Sequence, residues 1–383
     1  MSQARRTSVL IVVSLALFTD TVLYYLLVPL LPAFARQYGL GQMSLGLLFG
    51  CYSACLLLAT FPLGALADRV GRRAPMLWGL VGLGAATLLF AYAQHFWLLV
   101  VARGLQGISA TATWTAGMAL LADHFPTEGR GRAMGTVFAF ANLGVLIGPP
   151  AAGFLFQHFG MRVPFLVGAG LVALDAVARI CLIREMPHRS GVQVDFRSLL
   201  GNDSIRVLAG VMAMGAAMWA LLESVLPLHF DRTLHMGSGA IGLCFGLSGL
   251  AHMATSPLMG WCSDRVGRRR VLTVGFVCAA LLLPLPVIFH SLFAVQAVML
   301  ALGLTASFLL SPVSPAMTDA VERMGSSSFG AMFGLVNFAY ALGLMAGPLV
   351  GSGGVALMGL RATLVAVAVG FLGYTLLLKR VRS

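Results

Sequence analysis

Three carboxylates and two guanidinium groups stand inside long apolar runs of this chain. Asp20 sits midway along the first run, among Phe18, Val22 and Leu23. Glu223 precedes Pro227 in another, Arg103 belongs to a third, and Asp175 and Arg179 share a fourth at i and i+4. An ionisable residue at the centre of a bilayer costs about 2.5–3.5 kcal/mol on insertion scales, so each one needs a reason to be there. For Asp20 the chemistry is exchange: burial favours a neutral acid and a bound ammonium favours its carboxylate. One side chain can therefore serve a proton and an organic cation in turn. A helix-packing hydrogen bond is the competing reading.

Glu223 reads as a proton site, a second cation ligand, a partner for an Arg, or an interhelix polar contact. It occupies what looks like a similar position to Asp20 in the other half of the chain. The guanidinium of Arg103 stays charged and needs a carboxylate or carbonyl partner. Asp175 and Arg179 can pair with each other, which favours a structural role. Tyr24, Tyr25, Trp114, Phe138, Asn142, Trp219 and Tyr340 could line a cavity whose aromatic faces attract organic cations; each also suits ordinary packing. His252, within an apolar run, reads as a packed polar contact. Six scattered Cys without a CxxC pair give neither a disulfide frame nor a metal site. No Walker loop or nucleophile motif appears, so no cofactor, no metal and no enzymatic reaction are expected.

The elements that must hold these groups follow from composition. Of 383 residues 59% are hydrophobic and only 10% charged, with mean hydropathy +0.91. Soluble domains carry about 25% charged residues, so this chain belongs in a lipid bilayer. Its net charge of +12 comes from Arg in short gaps between apolar runs, which argues against a nucleic-acid partner. Twelve runs are long enough to span as helices: 8–33, 45–66, 74–94, 97–122, 133–157, 162–183, 205–230, 238–261, 271–290, 292–318, 329–351 and 359–379. Lone strands would leave amides unpaired in lipid, and the runs do not alternate as a barrel requires. With the N-terminus inside, the outer gaps hold only Arg36, Arg162, Arg232 and Arg361, so both termini are expected in the cytoplasm. The first run is too long for a cleaved signal and reads as the first span. Preference for Arg over Lys points to a bacterial inner (plasma) membrane.

The word DRVGRR occurs at 68–73 and again at 264–269, and GPPAAG (148–153) has an echo in GPLVG (347–351). Paired features at half the chain length imply two homologous six-helix bundles, residues 1–183 and 205–383, joined by a polar linker over 184–204. In each word an Asp ends a helix and a Gly turns the chain. The Arg residues can pair with carboxylates or helix ends across the bundle interface, as a two-state gate needs. That motif comprises Gly64, Asp68, Arg69, Gly71 and Arg72, with Asp264, Arg265, Gly267 and Arg268. Enforcing topology is the plainer role for its charges. Gly148, Pro149 and Pro150, echoed by Gly347 and Pro348, would let helices approach and bend.

GALADRVGRR (64–73) and GWCSDRVGRR (260–269) resemble the loop signature of the major facilitator superfamily. ARGLQG (102–107) resembles its second motif, and LGVLIGPPAAG (143–153) the fifth-helix motif of its antiporters. FTDTVLYYLLVPLLP (18–32), ARGLQGISATATWTAGMALLA (102–122), RVPFLVGAGLVALDA (162–176) and LLESVLPLHF (221–230) are similar to the vesicular amine transporter branch of the drug:proton antiporters. The resemblance implies an all-α membrane protein of twelve transmembrane helices in two pseudo-symmetric bundles. It implies a monomer that exports an amine or amphipathic drug in exchange for protons, by alternating access. Export of a metabolite such as a siderophore or sugar is the alternative on the same fold. By resemblance Glu223 and Asp319 match acidic positions, Arg103 tunes a proton-binding acid, and Asn337 puts an amide where the branch has a second acid. Tyr52 stands where the branch has a Lys. The expected substrate and proton set is Asp20, Glu223 and Asp319, with Asn337, Arg103, Asn142 and Tyr340.

Overall fold

Apolar runs of this length satisfy their amides only by coiling. A computed structural model describes residues 3–125, 127–182, 199–324 and 329–381, and they are almost entirely helical, with no strand among them. The helices are α1 (Gln3–Tyr25), α2 (Leu31–Tyr38), α3 (Gln42–Val70), α4 (Arg73–Tyr92), α5 (Phe96–His124), α6 (Thr127–Phe159) and α7 (Val163–Leu182). They continue as α8 (Asp203–Leu234), α9 (Ser238–Val266), α10 (Arg268–Leu282), α11 (Leu292–Leu310), α12 (Val313–Arg323), α13 (Phe329–Met358) and α14 (Leu360–Tyr374). Two rods are broken by proline-containing turns, α1/α2 at Val28–Leu30 and α11/α12 at 311–312, so the described residues make twelve rods. Of the expected linker, 184–198 lie outside the described residues. Asn202 ends it as the N-cap of α8, a role its side chain suits. Its Oδ1 accepts from the amide of Ser204 at 2.9 Å and from that of Ile205 at 3.3 Å.

Eleven of the rods are long and apolar enough to cross a membrane, and α5 is not among them. All twelve expected spans are found as helical rods, and α5 differs from the others in its polar residues. Arg103, Gln106, Ser109, Thr111 and Thr113 dilute its hydropathy, and all five are buried against neighbouring helices. Burial grades the others: the best window of α1/α2 is 78% buried and that of α8 67%, against 28% for α7 and for α14. The first two therefore carry the interior, while Leu174, Val177 and Val369 on the outer rods stay exposed, as lipid contact requires.

The chain divides into two compact units. Unit 1 is Met1–Gly39, Cys51–Gly191 and Met236–Gly246; unit 2 is Leu40–Gly50, Val192–His235 and Leu247–Ser383. The first turns of α3 thus belong with unit 2 and the first turns of α9 with unit 1. Small residues explain the exchange. In unit 2, a Cβ on Gly46 would strike Ser352 and the Pro348 carbonyl; in unit 1, one on Gly242 would strike the Pro149 carbonyl. Without side chains between them the backbones touch. Gln42 Nε2 adds a hydrogen bond to the Ser224 carbonyl at 2.8 Å within unit 2.

The same register recurs in both units. Gly107 of α5 sits against the Tyr52 carbonyl of α3, and Gly303 of α11 against the Ser248 carbonyl of α9. The offset between these counterparts is that between the two loop words. Thr111 donates to the Leu56 carbonyl at 3.0 Å; Ser307, displaced by the same offset, donates to the His252 carbonyl at 3.0 Å. Gly144 and Gly148 of α6 lie against α1 as Gly343 and Gly347 of α13 lie against α8. Gly107→Ala and Gly303→Ala should each destabilise the protein by about 1–3 kcal/mol by overpacking, read as a lower melting temperature in detergent. Gly370→Ala, where a Cβ would meet nothing within 4 Å, should leave melting unchanged or slightly raised.

Candidate functional site: a half-satisfied carboxylate and its supports

Asp20 lies in the most buried rod and is 2% exposed. Trp114 of α5 donates its indole N–H to Asp20 Oδ2 at 2.8 Å. Asp20 Oδ1 is enclosed and takes no hydrogen bond among the described residues. The Trp114 ring lies 6.2 Å from that of Phe138 in α6, which is 44% exposed. One oxygen is therefore anchored and the other has no hydrogen-bond partner among the described residues, beside an aromatic wall. The charges that act on Asp20 are Arg179 and Asp175, of opposite sign.

Those two form a closed pair. Arg179 Nε donates to Asp175 Oδ1 at 3.0 Å and Nη2 to Oδ2 at 2.6 Å. Nη1 reaches the Met76 carbonyl of α4 (2.5 Å) and Thr113 Oγ1 of α5 (3.3 Å), and both side chains of the pair are fully buried. The fork is used on all sides, so this pair ties three helices together. Removing one member of such a buried pair costs about 3–5 kcal/mol.

Arg103 is also fully buried. It donates to Gln106 Oε1 (2.8 Å) and to the Tyr24 carbonyl (3.4 Å), and so binds α5 to the end of α1. Its Cζ lies 4.9 Å from the Tyr24 ring, 5.6 Å from Tyr52 and 5.8 Å from Phe90. Aromatic faces thus carry part of the compensation that a buried cation needs. Tyr52, the departure from the amine-transporter pattern, is one wall of that box.

In unit 2, Glu223 is 1% exposed and stands one turn beyond Trp219 on α8. Tyr340 of α13 is within its electrostatic reach. The expectation that Glu223 mirrors Asp20 needs correction. Gly144 meets the Phe18 carbonyl and Thr21, whereas Gly343 meets the Ala213 carbonyl and Ala216. That correspondence, Phe18 with Ala213 and Thr21 with Ala216, sets Asp20 opposite Gly215 and Glu223 opposite Val28. The two acids therefore differ in register by about eight residues, or about 12 Å of helix rise. Asn142 is half-buried one turn from Phe138, and Asn337 is exposed on α13. Gly148, Pro149 and Pro150 lie inside a continuous α6, and Pro348 inside α13. Gly148 serves close approach to Val22 and Tyr25.

The duplicated loop word forms the same structure twice. Gly71 and Gly267 turn with φ of +87° and +101°, a region that favours glycine. Arg72 Nε pairs with Asp123 Oδ2 at 3.5 Å, and Arg268 Nη2 with Asp319 Oδ2 at 2.8 Å, both within one unit. Asp264 is a further partner of Arg268 at 3.4 Å, Arg265 packs over the Trp261 ring at 4.0 Å, Arg69 is exposed and Gly64 half-buried. The side chain of Asp68 lies outside what is described. Asp319, expected with the substrate acids, is found 42% exposed at the loop end in an ion pair. Its counterpart Asp123 escaped the sequence reading, although it precedes Asp319 by the same offset that separates Arg72 from Arg268. The Trp114 donor had no sequence signal beyond being one of several aromatics.

Rods with apolar outer flanks around buried ions define a multi-pass membrane protein. The family model described as Major Facilitator Superfamily matches residues 13–207 and again 207–383. The chain belongs to the major facilitator superfamily, whose members are known as transporters rather than enzymes. It is 28% identical over 313 residues to the chromaffin granule amine transporter of Rattus norvegicus, covering 81% of this chain and 60% of that one. With the synaptic vesicular amine transporter of Bos taurus it shares 26% over 313 residues, again 81% and 60%. The chain thus spans about 60% of the length of these relatives. An uncharacterized transporter of this type from Schizosaccharomyces pombe is 28% identical over 392 residues, covering 88% and 87%. Among solved structures, a bacterial homolog of the human lysosomal transporter Spinster, in an inward-facing and occupied conformation, superposes with TM-score 0.85 at 16% identity over 100% and 98% of the chains. The human organic anion transporter MFSD10 gives 0.71 at 22% identity over 99% and 100%.

The paired loop clasps are testable together. A double-mutant cycle on Arg268 and Asp319 should give a coupling of about 0.2–1 kcal/mol, the range for partly exposed pairs. Arg72 and Asp123 should give the same order, and an Arg72→Asp, Asp123→Arg exchange should restore transport lost in either single reversal. Additive losses in both cycles would show that the clasps carry no coupling.

Proposed function

We infer that this transporter exchanges protons for an organic cation, an amine or an amphipathic drug, and exports it by alternating access with Asp20 as the shared site. The observation that carries the reading is the half-satisfied carboxylate: Oδ2 fixed by Trp114 and Oδ1 enclosed with no hydrogen bond among the described residues. A proton on Oδ1 neutralises the group, and an ammonium there pairs with it, so the two ligands exclude each other. Trp114 and Phe138 supply apolar and quadrupolar surface for the body of the cation. The names of the amine-transporting relatives agree with that chemistry. Glu223 and Tyr340 form a second acidic locus in unit 2, and Asn142 and Asn337 offer neutral hydrogen bonds nearer the exposed faces. Arg103 holds α1 against α5 and so fixes the depth of Asp20. Asp319 and Asp123 act with the loop arginines as clasps on the gate rather than with the cargo. The reading places a monomer in a bacterial inner membrane with both termini cytoplasmic, the side on which the loop arginines accumulate.

The test is purified protein in liposomes with an acidic lumen and a panel of radiolabelled amines. Wild type should accumulate amine as protons leave. Asp20→Asn should weaken amine binding about tenfold or more, the loss of a charged hydrogen bond worth about 1.5–3 kcal/mol, and abolish gradient-driven uptake. Trp114→Phe should bind more weakly while still responding to the gradient. Folded wild type that moves no amine would overturn the cation reading and favour a neutral metabolite such as a sugar or siderophore.

A further inference from the structure

The two units share a register, so the places where they differ in chemistry stand out. At the seam of α3 and α5 the carbonyl that Thr111 reaches belongs to Leu56. At the seam of α9 and α11 the carbonyl that Ser307 reaches belongs to His252. An imidazole thus replaces an apolar side chain inside a membrane-spanning bundle. It is not isolated there. His252 Nδ1 lies 3.2 Å from Ser307 Oγ, Ser307 Oγ lies 2.7 Å from Thr255 Oγ1, and Thr255 donates to the Ala251 carbonyl at 2.6 Å. The ring of Trp219 from α8 lies 6.5 Å away, centroid to centroid.

Either hydroxyl can donate in the Thr255–Ser307 contact, and Ser307 has a single proton to place among Thr255, the His252 carbonyl and Nδ1. The neutral ring can therefore carry its hydrogen on either nitrogen, but a ring that holds both hydrogens donates Nδ1–H to a lone pair of Ser307 Oγ. Nε2 has no hydrogen bond among the described residues.

We propose that His252 is a proton-binding site of unit 2: the neutral ring takes a proton on whichever nitrogen holds its lone pair, leaving an imidazolium whose Nδ1–H donates to Ser307 Oγ. From α8 the titratable side chain one turn on from Trp219 is Glu223. Residues 292–310 of α11 hold no titratable side chain, nor do residues 146–153 of α6 beside Gly242 and Gly246. On α9 itself Cys244 lies two turns away, and Cys262, Asp264 and Arg265 lie further off toward the loop. An imidazole can take up and give back one proton without losing its contact to Ser307, and so adds a titratable group to the one that Asp20 supplies.

Trp219 reports the event, because an imidazolium quenches a neighbouring indole more strongly than a neutral ring does. The fluorescence of the full chain in detergent would be followed from about pH 5 to about pH 8 in wild type, Trp219→Phe, His252→Gln and Ser307→Ala. The wild-type signal minus that of Trp219→Phe should follow a one-proton curve. His252→Gln should flatten it, and Ser307→Ala should shift its midpoint by loosening the anchor. A difference that ignores pH, or an unchanged curve in His252→Gln, overturns the proposal. Should His252→Gln fail to fold, ring-labelled histidine NMR of wild type decides. One of the eight His signals, the one displaced by Ser307→Ala, should titrate from a singly protonated ring to a doubly protonated one. A ring fixed in a single state throughout would overturn the assignment. No substrate enters either measurement, so its outcome and that of the amine assay are separable.

Discussion

A charge inside a hydrocarbon slab has no water to turn to, so its partner must come from the protein itself. Each buried ion described here answers that constraint to a different degree. Arg179 is answered completely, by two carboxylate oxygens, a carbonyl and a hydroxyl. Arg103 is answered by an amide, a carbonyl and three aromatic faces. Asp20 is answered on one oxygen only. The gradation separates roles. A fully satisfied pair has nothing left to offer a ligand and serves to lock helices, whereas a half-satisfied acid keeps an open valence at the price of some stability.

Such partners can meet only if the helices approach closely and in fixed register. Helix association in lipid gains little from apolar burial, because lipid tails are as apolar as leucine. Glycine is the means used here. With Gly107 against the Tyr52 carbonyl, α5 and α3 are held near enough for Thr111 to reach Leu56, and Arg103 one turn back falls into the box that Tyr52 helps to form. Any side chain at Gly107 would push that wall away. The seam therefore sets the environment of the cation, although no glycine touches it.

Much of this could be read from the residues. The spans, the duplicated loop word and the family resemblance lie in long periodic or local patterns, which survive translation into structure. Pairings between helices did not show, because they depend on which faces meet. Trp114 was one aromatic among several until α1 and α5 were placed side by side. Asp319 looked like a cavity acid because a resemblance in a single helix says nothing of where Arg268 will reach. Glu223 looked like the twin of Asp20 because each is an acid inside the first apolar run of its half, but the glycine seams put them more than two helical turns apart in register. The run 97–122 was legible as a span in spite of its polarity. Arg103, Gln106, Ser109, Thr111 and Thr113 count against it in a hydropathy sum, yet all five face protein rather than lipid.

The distribution of the repeat separates scaffold from chemistry. What recurs at the offset of the loop word is mechanical: Gly107 and Gly303, Thr111 and Ser307, Gly71 and Gly267, Arg72 with Asp123 and Arg268 with Asp319. What does not recur are the polar and ionisable groups within the spans. Arg103 corresponds to Met299, Gln106 to Leu302 and His252 to Leu56; by the register of the first and seventh rods, Asp20 corresponds to Gly215 and Glu223 to Val28. Close helix approach and loop clasps serve each bundle alike, whereas the buried ions do not. An acid with one oxygen free of hydrogen bonds stands in one unit, and an imidazole beside an indole stands in the other, so a repeated scaffold carries groups of different chemistry in its two halves.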